Sequence, residues 1–291
     1  MTDASLLIFG LGYTGRAVAV RAAASGMAVT ATSRSPAALT PPEHVRLIDF
    51  AAAGAAVAEA THILMTAAPG AEADPALAAF GPAIAAAPHL RWVGYLSTTG
   101  VYGDRGGGWV DEDTPVAPTA ARALRRVAAE QAWAGCHPGV AVDLFRVAGI
   151  YGPGRSAFDD LRAGRARIVV KPDHAFGRIH LDDIAGAVLA AMSQSRRPAV
   201  RVLNLTDNEP AASGVVIEEA AGLLGIAPPP RIAYADAVAG MSEMGRSFWA
   251  ENRRVASAKT TAALARPWLY PSYREGLRAI LAVEQAAHQS A

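Results

Sequence analysis

Two observations predict an α/β protein with a doubly wound parallel sheet. Apolar runs typical of buried strands alternate with helical segments along most of the chain. The first run leads directly into glycines at G-x-G-x-x-G spacing, and a helical segment follows at once, as in a nucleotide-binding βαβ unit. The predicted strands of the sheet are residues 6–9, 27–33, 45–50, 61–68, 91–96, 141–145 and 200–205.

Three other segments have predicted structures. Residues 104–118 are expected to form a surface loop, and residues 119–134 a helix with Leu124, Val127 and Ala128 at helical spacing. The part of the chain from Met241 on is expected to mix polar loop with one C-terminal helix at residues 273–288.

The composition is that of a folded protein with a full apolar core. Of 291 residues, 52% are hydrophobic and 18% charged, which argues against global disorder. A net charge of +1 without a long basic run indicates neither a nucleic-acid nor a membrane-surface partner, and no apolar stretch approaches the ~18 residues of a membrane span. The single cysteine, Cys136, excludes a disulfide framework within one chain. We expect a cytoplasmic protein without a signal peptide, because the N-terminal residues lack a basic region.

The glycine motif predicts a dinucleotide-binding site at the first strand-to-helix turn. Gly10 permits the tight turn, Gly12 lets the backbone approach a pyrophosphate, and Gly15 lets the helix pack closely on the strand. The helix start offers N–H groups and a partial positive charge to the phosphates. We assign cofactor binding to these glycines and to Tyr13 and Thr14 between them. The alternative is a glycine-rich turn without a ligand.

The end of the second predicted strand bears on the choice of cofactor. An acidic residue there favours NAD, whereas a basic residue favours the 2′-phosphate of NADP. The chain has Ser33 and Arg34 at this place, and a guanidinium beside hydroxyls suits a phosphate. We predict NADP(H), with NAD as the other possibility. The alternative for Arg34 is an ordinary exposed loop arginine.

Two further strand ends are candidates for cofactor contacts. Asp49, at the end of the third predicted strand (residues 45–50), could hydrogen-bond the adenine amino group, or it could cap the next helix. Ala67 and Ala68 close the fourth strand, and their small side chains would let the backbone lie close to the cofactor.

Several motifs together resemble the extended short-chain dehydrogenase/reductase family, which contains nucleotide-sugar epimerases and dehydratases. The resemblance covers nearly the whole chain in the family's order, and the short glycine motif is similar to that of the atypical YeeZ-like branch. The matching pieces are GLGYTG, LSTTGVYGD, DEDTPVAP, LFRVAGIYGPG, RIHLDDIAGAV, LNLTDNEP, NRRVASAKTTAAL and PSYREGLRAIL.

The resemblance implies a domain plan and a function. Residues 1–150 would form a Rossmann-type NAD(P)-binding domain, completed by later core segments at about 175–206, and residues 151–291 would form most of a small substrate lobe. The implied function is that of an NAD(P)-dependent oxidoreductase or a nucleotide-sugar epimerase/dehydratase-like enzyme. Its substrate would be a small molecule, anionic or sugar-derived. The resemblance also makes a homodimer possible.

The family's catalytic pair is altered in this chain. Alignment on VYG assigns to Thr98 the hydroxyl that orients the substrate. Counting back from Glu130 puts Arg122 and Arg126 where the family has tyrosine and lysine, and an arginine cannot act as a general base near neutrality. Arg126 could still bind the ribose hydroxyls, and Arg122 could bind a carboxylate or phosphate. The alternative for both is a solvated basic helix face.

Another group must therefore move the proton if the protein is an enzyme. Tyr102 and Tyr151 are the candidates, because both lie in motifs that border the nicotinamide pocket in the resembled fold, and His180 is a third. Each of these side chains could instead serve only in packing.

Three arginines besides Arg122 are assigned to substrate binding. Arg146 falls in a core strand and needs a partner, either a phosphate or an internal acid. Arg155 and Arg178 fall where the resembled enzymes bind a diphosphate, and both could instead be surface charges.

The loss of the Tyr–Lys pair keeps a second function open. The protein could bind NADP(H) without catalysis, as a redox sensor or a regulatory protein. No metal site is expected, because no histidine–acid cluster has metal-ligand spacing, and the absence of a G-x-S-x-G elbow excludes that type of serine hydrolase.

Overall fold

The apolar runs form a parallel sheet in the computed structural model, which describes residues 4–289. Strands at the centre of this sheet are buried on both faces, as expected where helices cover a parallel sheet from both sides. The first half of the chain contains β1 (Ser5–Phe9), α1 (Tyr13–Ala24), β2 (Ala28–Ser33), β3 (Val45–Asp49), α2 (Gly54–Glu59), β4 (His62–Met65), α3 (Pro75–Ala85), β5 (Trp92–Thr98), β6 (Trp109–Val110), α4 (Ala121–Ala134) and β7 (Ala141–Val147).

The second half contains shorter strands and the C-terminal helices. Its elements are β8 (Gly149–Tyr151), α5 (Ala157–Arg162), β9 (Ile168–Val170), β10 (Arg178–His180), α6 (Leu181–Ser193), β11 (Val200–Leu205), α7 (Ser213–Leu224), β12 (Arg231–Ala233), α8 (Tyr234–Ala237), α9 (Glu243–Ala250), β13 (Arg254–Val255), α10 (Ala258–Ala263) and α11 (Tyr273–Gln289). No helix within residues 4–289 is both long enough and apolar enough to cross a bilayer.

The seven strands of the central sheet follow the order β11-β7-β5-β4-β1-β2-β3, which confirms the predicted doubly wound α/β fold. β1 pairs in parallel with β2 on one side and β4 on the other, so that Leu6 lies opposite Val29 and His62. The chain reverses its direction across the sheet at β1. In such sheets ligands bind beyond the carboxyl end of the strand at the reversal, and Gly10 lies at that end.

The chain divides into two compact units. Unit 1 contains the described residues of 1–101 together with 121–146 and 184–203. Its core includes Leu7, Phe9, Tyr95 and Trp133, all of them buried. The core places the β1 turn on a rigid apolar base.

Unit 2 contains residues 102–120, 147–183 and the described part of 204–291. Three short parallel pairs, β8–β10, β9–β12 and β6–β13, lie in this unit. Its apolar core joins Tyr151 and Phe158 to Val216 on α7 and to Tyr273 and Leu277 on α11.

Two structural expectations prove wrong in detail. The helical spacing of Leu124 with Val127 and Ala128 suggests an apolar face on α4, but Leu124 is 51% exposed, and the buried face carries Arg126 and Glu130 beside alanines and Trp133. Hydrophobic periodicity misplaces such a face because it assigns charged side chains to solvent. The region after Met241, expected to be a polar loop before the last helix, contains α9, β13 and α10, and β13 pairs with residues of the predicted 104–118 loop.

Candidate functional site

The turn after β1 has a backbone that requires glycine at two positions. Gly10 has a φ of +103°, and a Cβ there would lie 2.9 Å from the Thr66 hydroxyl. A Cβ on Gly15 would lie 2.3 Å from the carbonyl oxygen of Gly10, so the helix can approach the strand only because Gly15 has no side chain. The turn therefore has the close helix–strand packing of a nucleotide-binding loop.

Gly12 differs from the other two glycines, because its surroundings are open. It precedes α1 with extended backbone angles, and a Cβ there would meet nothing within 4 Å. Among the described residues no side chain caps α1, and its first turn has no acidic residue. The first-turn N–H groups of a helix have no intrahelical acceptor, so this end of α1 suits an anion that approaches Gly12.

Thr66, which the sequence analysis did not single out, holds this turn in place. Its hydroxyl lies 2.8 Å from the carbonyl oxygen of Gly10 and 3.1 Å from that of Phe9, and donates to both. Gly10 N in turn donates to the Thr32 hydroxyl at 3.3 Å. Thr66 lies in an apolar run without a motif, so no local signal marks it.

Of the three residues assigned to the adenosine end of the cofactor, two are hydrogen-bonded to nearby backbone and one is exposed. The Ser33 hydroxyl accepts from Ser35 N at 3.0 Å, and Arg34 is exposed, with no bonding partner among residues 4–289. Asp49 accepts from Ala51 N at 2.8 Å, which is the capping role that was the alternative to adenine binding. Cofactor contacts of these residues stay predictions.

Thr98 is half-buried at the end of β5, where its hydroxyl accepts from Gly100 N at 3.2 Å. The neighbouring Ser97 donates to Glu130 Oε1 at 2.5 Å. Arg146 completes this buried network, because its Nε lies 3.2 Å from Oε1 of Glu130 and an Nη lies 2.9 Å from Oε2. Arg146 thus has the internal acid as partner, which was one of its two expected partners, and its contact with substrate stays a prediction.

The two arginines at the positions of the altered catalytic pair lie in different environments on α4. Arg126 is buried and donates to the Leu96 carbonyl at 2.8 Å and to the Tyr95 hydroxyl at 3.1 Å. Burial raises the pKa of Tyr95 to about 12, although the nearby Arg126 acts against this rise. Arg122 is exposed, and its pKa is lowered by partial desolvation and by the charges of Arg126 and Arg125. The helix face is therefore not simply solvated, because Arg126 points inward.

The candidate proton-transfer tyrosines are both buried in unit 2. The Tyr102 hydroxyl donates to Asn204 Oδ1 at 2.8 Å. The Tyr151 hydroxyl lies 3.4 Å from the carbonyl oxygen of Ser272, and burial, together with the charges of Asp207 and Asp183, raises its pKa. His180 packs edge-on against Tyr151, with ring centroids 5.2 Å apart.

A cavity of about 510 Å³ in unit 2 brings together three of the predicted site residues, Tyr151, Arg155 and Arg178. Arg178 Nη1 donates to the carbonyl oxygens of Phe176 and Ala211, each at 2.9 Å. Two further arginines line this cavity, Arg165 and Arg167, which the sequence analysis did not consider because they lie in an exposed turn. The lining contains four arginines but only two acidic residues, Asp159 and Asp160, so the cavity is suited to an anion.

Asp207 is a buried carboxyl group whose charge acts on two residues that line this cavity, Arg178 and Tyr151. It is 1% exposed, and burial raises its pKa to about 8, against the opposing effect of Arg178. Asp207 belongs to the LNLTDNEP motif, but nothing in the sequence shows that its side chain is buried. In residues 4–289 no group of three or more His, Cys, Asp or Glu side chains is placed to hold a metal ion.

Comparison with known proteins identifies relatives of the whole chain. No family model matches. Protein YeeZ of Escherichia coli K12 is 31% identical over 137 residues, which are 46% of this chain and 47% of YeeZ, so the match spans about half the length of these curated relatives. The solved structure of a functionally unknown conserved protein from Silicibacter pomeroyi is 41% identical, with a TM-score of 0.88, over 96% of this chain and 98% of that one.

Other solved structures share the fold. A proposed NAD-dependent epimerase/dehydratase from Methylobacillus flagellatus is 25% identical over 98% of this chain and 100% of its own, with a TM-score of 0.75. MoeE5 in complex with UDP-glucuronic acid and NAD is 19% identical over 97% of this chain and 99% of its own, with a TM-score of 0.77. Human epimerase family protein SDR39U1 with NADPH is 17% identical over 95% and 98% (TM-score 0.73). At these two lower identities the likeness shows the fold alone.

The resemblance drawn from the motifs is confirmed by these matches. The 41% identity over nearly the full length places the chain in one family with the Silicibacter pomeroyi protein. The chain has YeeZ among its relatives, and its seven-stranded parallel sheet is similar to those of solved structures of the NAD-dependent epimerase/dehydratase-like group of extended short-chain dehydrogenases/reductases.

Proposed function

We propose that this protein is an NADP(H)-dependent oxidoreductase or epimerase/dehydratase-like enzyme that acts on a small anionic or sugar-derived substrate. The observation that carries the proposal is the turn after β1. Gly10 and Gly15 have no room for a side chain, whereas the position of a Cβ on Gly12 is open, at the uncapped start of a 12-residue helix. Such a turn fits a pyrophosphate bound by backbone N–H groups.

The coenzyme, when bound, would supply or accept a hydride at its nicotinamide ring. In the proposal, Gly12, Tyr13 and Thr14 hold the pyrophosphate, and Arg34 holds the 2′-phosphate. Arg34 supports NADP(H) because it is exposed and has no bonding partner in the described chain. Solved structures of the same fold contain NADPH in one case and NAD in another, which supports a nicotinamide dinucleotide in general.

The substrate is proposed to bind through its anionic part in the unit 2 cavity, with Arg155 and Arg178 as its cationic partners. The UDP-glucuronic acid bound by MoeE5 is the kind of ligand that would suit such a cavity. Thr98 is proposed to orient the substrate through its hydroxyl. Burial raises the pKa of Tyr151, so this phenol is suited to donate a proton rather than to accept one.

Calorimetry with NADPH, NADP, NADH and NAD tests the cofactor assignment. We expect Gly12→Ala to weaken NADPH binding by at least about tenfold, because a methyl group there would keep the pyrophosphate from the backbone. The fold should survive, since the added Cβ meets nothing within 4 Å. Gly54→Ala is the matched control, because that Cβ is equally open and lies in α2. Absence of binding by all four nucleotides would refute the proposal.

A non-catalytic NADP(H)-binding sensor is the second candidate function. It is favoured by Arg126, which stands where the family has its lysine and is committed to Leu96 and Tyr95. Mixing the protein with NADPH and a panel of carbonyl compounds separates the two functions. Oxidation of NADPH that Thr98→Ala abolishes supports the enzyme, whereas tight binding without turnover on the whole panel supports the sensor.

A further inference from the structure

Asp207 follows β11 and carries a buried carboxyl group whose oxygens lack a well-formed hydrogen bond to the described residues. The residue is 1% exposed, and neither carboxyl oxygen has a partner among the described residues. For an ionised carboxylate in such a place the loss of hydration outweighs the favourable effects of the Arg178 charge and of the backbone at Glu209 and Arg178, so burial favours the protonated, neutral form. The charge of the Arg178 guanidinium is the strongest effect that favours the ionised form of Asp207.

The main chain ties Asp207 to Arg178. Asp207 N donates to the Arg178 carbonyl oxygen at 2.6 Å, and the Thr206 hydroxyl donates to the same oxygen at 3.3 Å. Arg178 itself donates to two carbonyl oxygens, and none of the carboxylates in residues 4–289 comes within the 4.0 Å of an ion pair with it. The cavity is therefore lined by a cation that is held by the backbone and lacks a neutralising ion pair.

We propose that protonation of Asp207 is coupled to anion binding in this cavity. The neutral carboxyl group leaves Arg178 free to hold an anion, whereas ionisation of Asp207 weakens anion binding. The ligand class is a phosphate- or sulfate-like oxyanion. This inference rests on the proposed function, in which the same cavity takes the anionic part of the substrate.

The coupling follows from charge. While Asp207 is protonated, Arg178 faces an oxyanion as an uncompensated cation in a low-dielectric environment. Once Asp207 ionises, its negative charge offsets that of Arg178 and repels the anion. Because burial raises the pKa of Asp207 to about 8, this change falls at mildly alkaline pH. By linkage, a bound anion must lower the acid dissociation constant of Asp207 by the same factor by which ionisation of Asp207 weakens anion binding, so that a tenfold factor raises the pKa by about one unit.

The other charged and titratable groups near Asp207, Arg178 and Tyr151 lie on several elements. They are Glu209 in the same loop, Tyr151 on β8, His180 on β10, Asp183 on α6, and Tyr273 and Glu275 on α11. Burial raises the pKa of Tyr151 and Tyr273, so both phenols stay neutral over the range of interest.

The acidic groups among these neighbours have partners that Asp207 lacks. Asp183 accepts from Leu269 N at 2.7 Å and from Tyr270 N at 3.0 Å. Hydrogen bonds from Ser272 lower the pKa of Glu275, so that it stays ionised above pH 7. Glu209 pairs with Arg274 at 3.2 Å. Asp207 is therefore the carboxyl of this group that changes its charge between pH 7 and 9.5.

Sulfate is the probe, because its charge is constant over this range. Its affinity for the full-length protein is measured by calorimetry at about pH 7 and 9.5, at constant ionic strength set with sodium chloride. We expect the wild-type affinity to fall by roughly tenfold, and Asp207→Asn to bind equally at both pH values. Arg178→Gln should weaken sulfate at every pH.

A second measurement uses the wild-type protein and so does not depend on whether a variant folds. With carbon-13 labelled aspartate, the Asp207 carboxyl signal is titrated by NMR in the presence and absence of sulfate. Its midpoint should rise with sulfate by about one pH unit if the affinity falls tenfold, because the two quantities are reciprocal.

Several results would overturn the inference. These are a wild-type affinity that does not change with pH, an Asp207→Asn variant that keeps the fall, and sulfate binding that survives Arg178→Gln. NADPH binding is measured on the same samples. Lost NADPH binding with intact sulfate coupling would refute the proposed function and leave this inference standing.

Discussion

Gly276 sets how closely Tyr151 packs against α11. A Cβ at this position would lie 2.1 Å from the Tyr151 hydroxyl and 2.7 Å from two ring atoms. Glycine in a helix costs roughly 0.5–1 kcal/mol relative to alanine, so the close contact outweighs the loss in helix propensity. This residue, within the PSYREGLRAIL motif, thereby fixes the position of a candidate proton donor.

Gly276→Ala is expected to lower the free energy of unfolding by about 1–3 kcal/mol, because the new methyl group must displace a buried tyrosine. Urea denaturation measures the change. The control is Gly222→Ala in α7, where a Cβ meets nothing within 4 Å, and it should raise stability by roughly 0.5–1 kcal/mol. Equal gains in both variants would contradict the packing argument.

Arg34 is the side chain on which the proposed preference for NADP(H) depends. Arg34→Ala should weaken NADPH by roughly ten- to a hundredfold, since a charge-assisted contact contributes about 1.5–3 kcal/mol, and it should change NADH binding much less. Calorimetry with both nucleotides measures this difference. Arg46→Ala, another exposed arginine at the start of the neighbouring strand β3, should change neither affinity. Equal losses for NADPH and NADH in Arg34→Ala would refute the NADP assignment.

At the scale of elements, the β1 turn is shaped as much by β4 as by its own glycines. The Thr66 hydroxyl, directly after β4, is bonded to the carbonyl oxygens of both Phe9 and Gly10. A hydroxyl that bonds two successive carbonyls limits the orientations that the turn can take. The strand beside β1 is therefore expected to influence cofactor affinity without touching the cofactor.

Thr66→Val keeps the shape of the side chain and removes its hydroxyl. We expect a loss of about 1 kcal/mol in stability and a three- to tenfold weaker NADPH affinity, because the turn is less well held. Thr66→Ser retains the hydroxyl and should largely restore the affinity. Chemical denaturation and calorimetry give the two quantities. Wild-type NADPH affinity in Thr66→Val would show that the turn needs no such support.

Helix α4 shows why one element was misjudged from the sequence. Its inner face carries Arg126 and Glu130, whose charges are met by the Leu96 carbonyl and by Arg146 on another strand. Those partners lie 16 or more residues away in the chain. Local periodicity contains no information about a partner at such a separation, so it predicts that the charged face is exposed.

For the molecule as a whole, Asp207 makes stability depend on pH. Burial raises the pKa of this carboxyl from 3.8 to about 8 in the folded protein. Between these two values the folded state holds a proton that the unfolded state has released, so stability falls as the pH rises. The contribution of Asp207 is complete below about pH 4, declines through the interval and levels off above pH 8.

The stability difference between the wild type and Asp207→Asn should therefore change with pH. We expect the wild type to lose stability relative to the variant from pH 5 to 8, by at most about 1.4 kcal/mol per pH unit, and the difference to stay constant above pH 8.5. Urea denaturation at a series of pH values measures it. A difference that does not vary with pH, or that grows in favour of the wild type, would contradict a raised pKa.

Local sequence patterns were sufficient to predict the strand–helix order, the glycine turn and the resemblance to short-chain dehydrogenases/reductases. β11 was predicted at its observed bounds, and the other core strands mostly within two residues of them, because a strand buried on both faces is a contiguous apolar run. The steric need for glycine is equally local, which is why Gly10 and Gly15 were read correctly.

Which polar groups contact one another became apparent only in the folded structure. It paired Arg146 with Glu130, placed Thr66 on the Gly10 turn, gathered Arg155 and Arg178 around one cavity, and left Asp207 buried without a hydrogen bond. These outcomes depend on contacts between segments distant in the chain and on exclusion of water. Neither is encoded in the order of neighbouring residues, because burial and charge pairing arise only when the elements pack.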